Sequence, residues 1–399
     1  MFTSRQLERY ADVLLWALQA ARRTRFKKED IVLIRYHLQA LPLAEILYAR
    51  LLGMGLNPVQ RLMPTVVMEK NFFVNAEGSQ LDFTAPGDKE LNRHLDGSIF
   101  LYAPDSITHL SDVDPAKISQ TTLAQKSLRD ILNKREEQGL FSWTLCVFPT
   151  SEQARHAGLS LEDYTQQVVK ACFLNRRQPV PEWQRIYREI GAIKKWLDSL
   201  AVVRLRIESE RVDLEITPGE KRRWLGLSGH NIPSFEVFLS PDRRGTRGIY
   251  YADQPSFRSG NRVEGVTLEF KDGEVVKAQA EKGEGFLNRQ LLMDEGASRV
   301  GEFSLTDKRF SKINAFMANT LYDENHGGKF GNCHLALGSS YSDSYTGKPA
   351  ELTAKLKKTL GFNDSALHWD LVNTQKKRVT AYLKGGRTTT LYENGKFNL

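Results

Sequence analysis

The stretch Asp30-Ile31-Val32-Leu33-Ile34-Arg35 decides the first part of the fold. A short run rich in β-branched residues is typical of a buried strand. A helical pattern follows over Leu43–Met54, and Gly55 is a stop signal directly after it. Asn57-Pro58-Val59 then leads into a second apolar run. A strand, a helix and a second strand in this order predict a parallel sheet, and therefore an α/β domain.

Further helical patterns surround this unit, and they end close to residue 200. We predict helices over Leu7–Ala21, Gln120–Glu137, Leu161–Cys172 and Glu182–Leu200. Beyond residue 200 the period shortens to two, because Val203–Ile207 and Val212–Ile216 alternate strictly between apolar and polar residues. Such alternation is typical of half-buried strands. The change of period predicts a domain boundary near residue 198.

Turn signals in the second half indicate antiparallel strands. Asp272-Gly273 separates two alternating runs within Val266–Ala278, which is the strongest short-range signal for a hairpin. Gly385-Gly386 and Asn394-Gly395 punctuate a predicted meander, and one helix is predicted at Thr353–Leu360. The predicted fold is an α/β N-terminal domain with a mainly parallel sheet at residues 1–198, followed by a β-rich (α+β) C-terminal domain at residues 199–399.

The composition argues against a nucleic-acid-binding, disulfide-rich or membrane-spanning protein. The formal net charge of +8 is modest for 399 residues, and the basic clusters are scattered among acids, so we predict no nucleic-acid partner. Three widely spaced cysteines, Cys146, Cys172 and Cys333, argue against a disulfide framework. The charged N-terminus is unlike a signal peptide, and no uncharged apolar run approaches the ~18 residues that span a bilayer. We expect a cytoplasmic protein that does not bind membranes.

The segment Leu367-His368-Trp369-Asp370-Leu371-Val372 has the residue types of half a metal site. In an extended strand, His368 and Asp370 share one face while Trp369 points to the other. On a helix the two side chains would lie roughly 200° apart and would not converge. An imidazole and a carboxylate on one strand face suit a divalent metal. A surface histidine beside a solvated acid is the alternative.

Other strands of the second half carry further candidate ligands. Glu236 and Glu302 each lie among apolar neighbours, where a carboxylate costs stability unless it is paired, hydrogen-bonded or bound to a metal. His334, Ala336 and Gly338 would share one face of a strand, and the two small residues leave room for an ion or a substrate. Glutamates facing water at a strand edge, and a core histidine bonded to a backbone carbonyl, remain the alternatives.

Other chemistries lack their motifs. Cys333 and His334 are neighbours on a predicted strand, so they face opposite sides and do not form a nucleophile–base pair. The sequence has no Gly-x-Ser-x-Gly elbow, no His-Glu-x-x-His and no paired Cys-x-x-Cys motif, and Gly327–Gly331 lacks the P-loop order. Two acids, a histidine followed by Tyr341, and the His-x-Asp pair suit two divalent ions. Tyr341 would bind an ion, hydrogen-bond a reacting oxygen or simply pack.

These segments match, in order, the motifs of a known family. The matching segments are Asn231–Pro241 (Asn-Ile-Pro-Ser-Phe-Glu-Val-Phe-Leu-Ser-Pro), Gly301-Glu302, Asp323-Glu324-Asn325, Cys333–Tyr341 and His368–Asp370. The chain thereby resembles the thermophilic-type metalloaminopeptidases, the aminopeptidase T and aminopeptidase S family. The resemblance implies an α/β domain followed by a β-rich catalytic domain, and a homodimer whose active sites face an internal cavity.

The resemblance also implies a set of site residues. Matched position by position, the metal ligands are Glu236, Glu302, His334, Tyr341, His368 and Asp370. It implies two divalent ions, with zinc as the first choice and cobalt or manganese as alternatives. We expect Tyr341 and Glu302 to act in catalysis, and either Glu236 or Glu302 to bridge the ions. Glu324 is a candidate general base.

Two features depart from the family pattern. Phe235 stands directly before Glu236, where a small residue or a glycine is expected, and the loop Asn325–Gly331 is longer than usual and carries an extra His326. Both changes are expected to alter the shape of the substrate pocket.

The sequence therefore predicts a two-metal-ion aminopeptidase. This exopeptidase, a metalloprotease and hydrolase, would remove N-terminal residues from peptides with a free N-terminus through a metal-activated water. Two alternatives stay open. One is a two-metal hydrolase that cleaves a non-peptide amide or ester, and the other is a non-enzymatic binding protein with a degenerate metal site.

Overall fold

The structure, a computed structural model, describes all residues from Met1 to Leu399. The chain forms two units, each with its own core. The first consists of Met1–Tyr187 and Leu227–Ser234, and the second of Arg188–Gly226 and Phe235–Leu399. A short later segment thus belongs to the first unit. The domain limits of 1–198 and 199–399 stay a prediction.

The strands are, in chain order, β1 (Ile31–Tyr36), β2 (Asn57–Leu62), β3 (Gly97–Tyr102), β4 (Ser142–Val147), β5 (Val202–Glu208), β6 (Asp213–Ile216), β7 (Leu225–Gly226), β8 (Asn231–Ile232), β9 (Glu236–Leu239), β10 (Arg247–Ala252), β11 (Ser256–Arg258), β12 (Asn261–Val263), β13 (Val266–Lys271), β14 (Glu274–Gln279), β15 (Val300–Thr306), β16 (Asn332–Gly338), β17 (His368–Asn373), β18 (Arg378–Leu383), β19 (Thr388–Glu393) and β20 (Lys396–Phe397).

The α-helices are α1 (Ser4–Ala20), α2 (Leu41–Gly53), α3 (Val66–Asn75), α4 (Asp88–His94), α5 (Pro115–Ala124), α6 (Lys126–Glu137), α7 (Ser151–Ala157), α8 (Leu161–Ala171), α9 (Pro179–Ser199), α10 (Glu284–Leu291), α11 (Thr320–Asp323) and α12 (Ala354–Leu360). Short 3-10 turns occupy Leu38–Ala40, Gly78–Gln80, Ser342–Ser344 and Pro349–Glu351. No helix is both long enough and apolar enough to cross a membrane.

The first unit is built on a five-stranded parallel sheet with the order β2-β1-β3-β4-β8. Strand β1 lies between β2 and β3 and buries Val32, Leu33 and Ile34, as its β-branched run predicts. Helix α1 begins at a capping box, in which Thr3 and Gln6 satisfy each other's backbone N–H groups. The predicted α/β domain with a mainly parallel sheet is confirmed.

The second unit is built from antiparallel sheets. An eight-stranded sheet has the order β14-β13-β10-β6-β5-β18-β19-β20, and a five-stranded sheet has the order β17-β16-β15-β9-β7. Strands β11 and β12 form a separate hairpin. The predicted hairpin turn at Asp272-Gly273 joins β13 to β14, and Asn394-Gly395 joins β19 to β20. The predicted β-rich C-terminal domain is therefore confirmed.

One predicted helix is divided in the structure. The pattern over Gln120–Glu137 forms two helices, α5 and α6, that meet at Gln125. The backbone N–H of Gln125 still donates to the carbonyl oxygen of Thr121, and the helix is interrupted there without a glycine or proline. The sequence has no local signal for this break.

Gly338 is the last residue of β16, and its backbone conformation and close contacts favour glycine. Its φ of +102° lies in the left-handed region, and a Cβ added there would lie 2.2 Å from the carbonyl oxygen of Leu367. We expect Gly338→Ala to lower the free energy of unfolding by about 2 kcal/mol or more. Gly53→Ala is the matched control, since a Cβ at Gly53 meets nothing within 4 Å. Urea unfolding of both variants measures the free energy of unfolding. Equal values for the two variants would contradict this prediction.

Candidate metal centre

One face of the five-stranded sheet collects the predicted site residues. Antiparallel pairing places Glu302 and Asp370 on opposite sides of Ala336, and His368 opposite Gly338. Ser304 of β15 lies between His334 of β16 on one side and Phe238 of β9 on the other. Because directly opposed residues share a sheet face, this face carries Glu236, Glu302, Ser304, His334, Ala336, Gly338, His368 and Asp370.

The alternation in β17 explains why His368 and Asp370 converge. His368 Nε2 lies 3.4 Å from Asp370 Oδ1. Trp369 points to the other face, where it is buried and its indole N–H donates to Ser256 Oγ at 2.9 Å. A buried tryptophan fixes the register of the strand, since a slip by one residue would move it to the opposite face. The same packing therefore orients both polar side chains.

The two histidines and three of the acids form a compact cluster. His334 Nε2 lies 3.1 Å from Glu302 Oε1, 3.4 Å from Glu236 Oε2 and 3.8 Å from Asp370 Oδ1. His368 Nε2 lies 3.8 Å from the other oxygen of Glu302, Oε2. The carboxylate of Glu302 thus faces one histidine with each of its oxygens.

Glu324 joins this cluster from outside the sheet. It caps the short helix α11 and is almost fully buried. One ligand atom each from Glu324, His334 and Asp370 lie within 4.8 Å of one another, as do atoms from Glu236, Glu302 and His334. In the sequence, only the Asp-Glu-Asn motif indicated Glu324 as a site residue. Glu324 is not on a strand, so the alternation of side chains along a strand does not predict its position.

The cluster is strongly negative, and the pKa values respond to this. Burial and the neighbouring Asp370, Glu236 and Glu302 carboxylates raise the pKa of Glu324 well above its ordinary value. Burial alone would lower the pKa of His334, but its hydrogen bond to Glu302 and the surrounding acids raise it to about 9. His368 behaves in the same way, and its pKa also rises to about 9. The centre therefore attracts positive charge.

Tyr341 lies at the rim of the cluster. Its ring contacts the rings of Phe238 and His368, with centroids 5.5 and 5.1 Å away, and its backbone N–H donates to Ser240 Oγ at 2.8 Å. The residue is 37% exposed. Enclosure of the phenol group and the charges of Glu302 and Asp370 raise its pKa well above 10. The hydroxyl is therefore protonated at neutral pH and can donate a hydrogen bond.

Contacts behind the cluster hold its members in place. The Nδ1 atom of His368 lies 3.1 Å from the carbonyl oxygen of Ser339, which leaves Nε2 to face the acids. Arg258 donates to the carbonyl oxygen of His368 at 2.7 Å, and Ser304 Oγ donates to Glu236 at 3.4 Å. Ser304 could have been found from sequence, because it lies two residues after Glu302 on a strand.

Asn325 connects Glu324 to the strand that carries Glu236. Its side-chain oxygen accepts a bond from the backbone N–H of Phe235 at 2.5 Å, and its Nδ2 donates to Leu321 at 3.0 Å. Phe235 is fully buried. The ring of His326 packs against Gly328 within the same loop, and its carbonyl oxygen accepts a hydrogen bond from Asn332 Nδ2 at 2.8 Å.

The residues present fit divalent metal ions. Carboxylates and imidazoles are ligands for such ions. Within 4.0 Å, Glu302 and Asp370 form ion pairs with histidines and with no lysine or arginine. His334 Nδ1 is buried without a hydrogen-bond partner. Three buried acids and the partly exposed Asp370 lie together and need compensating positive charge, which metal ions supply.

Comparison with known proteins identifies the family. The family model for thermophilic metalloproteases (M29) matches residues 3–397. The chain belongs to this family. It is therefore a metal-dependent peptidase, which is a hydrolase that uses divalent metal, and the resemblance seen in the sequence motifs is confirmed.

Individual relatives agree with this assignment. Aminopeptidase T from Thermus aquaticus is 28% identical over 307 residues, covering 72% of this chain and 73% of that protein. Aminopeptidase AmpS from Bacillus subtilis is 30% identical over 265 residues, covering 63% of this chain and 62% of that protein. The solved structure of wild-type AmpT from Thermus thermophilus superposes with a TM-score of 0.80 at 23% identity, covering 99% of both chains. That likeness confirms the fold.

Proposed function

We propose that this metalloprotease is a two-metal aminopeptidase that removes N-terminal residues from peptides with a free N-terminus. The position of Glu302 carries the proposal. Its Oε1 atom lies 3.1 Å from His334 and its Oε2 atom lies 3.8 Å from His368. A carboxylate between two imidazoles is suited to bridge two ions. The relatives named aminopeptidase T and AmpS support peptides as substrates.

The ligands divide into two groups around Glu302. Glu236 and His334 form one pair, with Oε2 and Nε2 3.4 Å apart, and His368 and Asp370 form the other, with Nε2 and Oδ1 3.4 Å apart. Asp370 Oδ1 also lies 3.8 Å from His334 Nε2. Tyr341 completes the family's six positions at the rim. Zinc is our first choice for both ions, with cobalt or manganese as alternatives. When bound, two such ions polarise the scissile carbonyl and lower the pKa of the attacking water.

The remaining steps fall to side chains of the chain itself. Cations bound at the centre would offset the neighbouring carboxylates and keep Glu324 ionised. In that form Glu324 is placed to take a proton from the attacking water and to return it to the leaving amine nitrogen. The protonated hydroxyl of Tyr341 donates a hydrogen bond to the carbonyl oxygen as negative charge develops there. The carboxylates of the centre favour a substrate with a charged, free α-amine. Only the N-terminal residue of a peptide carries such an amine, so cleavage would be restricted to the first peptide bond.

Blocking the substrate amine tests this proposal. We expect leucyl-peptides to be hydrolysed, and N-acetylation of the same peptides to lower kcat/KM by at least about 100-fold, because the acetyl group removes the amine charge and fills its site. The rate is measured as release of the C-terminal cleavage product, which the blocked and unblocked peptides share. Equal rates on blocked and unblocked peptides would favour a hydrolase that acts on a non-peptide amide or ester.

We also propose a homodimer in the cytoplasm. Helix α3 supports the dimer, because Val67, Met68 and Val74 are between 55% and 68% exposed although they are apolar. Three free, buried cysteines suit a reducing compartment. The molar mass in solution, compared with 45.4 kDa for one chain, tests the dimer.

A further inference from the structure

We infer that Phe238 and Tyr341 form the subsite for the N-terminal side chain of the substrate, and that this subsite prefers large apolar and aromatic residues. The inference rests on the proposed aminopeptidase function and adds its substrate class. Phe238 follows Glu236 by two residues on β9, so both side chains point to the metal-binding face. It lies opposite Ser304, which in turn lies opposite His334.

The exposure of the residues shows where a substrate reaches the cluster. Glu236, Glu302, Glu324 and His334 are buried, whereas Phe238, Tyr341, His368 and Asp370 are partly exposed. The three rings of Phe238, Tyr341 and His368 contact one another in series. We call these three rings the aromatic rim. Phe238 is the only residue of β9 that is not buried, and the rim is the open side of the cluster.

The chemistry of the substrate brings its first side chain to this rim. The side chain, the α-amine and the scissile carbonyl of the first residue are all attached to one α-carbon. With the carbonyl and the amine at the acids, the partly exposed rings beside them are the surface within reach of the side chain. A large apolar side chain covers these rings and removes their surface from water. An acidic side chain would instead add negative charge beside four carboxylates.

Phe238 variants test the subsite with anilides of single amino acids. We expect wild type to favour leucyl- and phenylalanyl-anilide over alanyl-anilide. Phe238→Ala should lower kcat/KM about tenfold for the two large substrates and less than about threefold for the alanyl substrate, as expected for contacts in an apolar pocket. Phe83→Ala is the matched control, because Phe83 is an exposed phenylalanine outside every helix and strand, in the other unit. Its ratios should equal those of wild type.

The outcomes separate the subsite from a supporting role. If Phe238→Ala lowers all three rates by one factor, Phe238 only supports the ring of Tyr341 and the inference is wrong. Should that variant fail to fold, Phe238→Leu keeps an apolar contact. It should lower the ratio of phenylalanyl- to leucyl-anilide, and an unchanged ratio contradicts the inference. A wild-type enzyme that hydrolyses none of the anilides or free peptides overturns the proposed function instead.

Discussion

Glu302→Gln is expected to lower kcat/KM for leucyl-peptides by a factor on the order of 10³. The substitution keeps the shape of the side chain but removes the negative charge that faces both His334 and His368. An amide offers only one oxygen as a ligand, so it does not bridge two ions. The metal content of the purified variant should fall together with the rate.

Glu269→Gln is the control for this substitution. Glu269 is an exposed glutamate on β13, and no residue of the cluster pairs with its strand. Its rate and metal content should equal those of wild type. If Glu302→Gln also retained both, Glu302 would not be a ligand.

Glu324→Gln is expected to separate proton transfer from metal binding. We predict that kcat falls by about 10³-fold, because the amide neither accepts nor returns a proton. Metal content and KM should change little. Steady-state kinetics and metal analysis of the same variant test the role of Glu324. Loss of metal from this variant would make Glu324 a ligand and not the general base.

Asn325 offers a comparison for the same loop. Its side chain connects the Phe235 backbone to Leu321, and it thereby helps to hold both Glu236 and Glu324 in place. The proposed general base and its positioning residue are neighbours in sequence, and we expect only the Glu324 variant to retain the full complement of metal with a low kcat.

The strands of the site could be predicted because their signals are local. Alternation of period two places His368 with Asp370, and His334 with Ala336 and Gly338, without any knowledge of the fold. The neighbouring β15 carries Glu302 and Ser304 in the same way. What the period does not give is the order of strands, because pairing between β9 and β15 joins residues far apart in sequence.

Other parts of the site had no local signal. Glu324 reaches the cluster from the end of a four-residue helix. Its position depends on the hydrogen bonds of the Asn325 side chain to Phe235 and Leu321. It also depends on Thr306, whose hydroxyl donates to the carbonyl oxygen of Glu324. The break between α5 and α6 likewise lacks a glycine or proline. The return of residues 227–234 to the first unit depends on pairing between β4 and β8, which is a long-range contact.

The number of ions per chain tests the central claim most directly. The chain is stripped of metal with a chelator, titrated with zinc, and analysed for bound metal and for leucyl-peptide hydrolysis. We predict two equivalents of zinc per chain, with full activity only when both are bound. Saturation at one equivalent with full activity, or hydrolysis by the metal-free chain, would contradict the two-metal account.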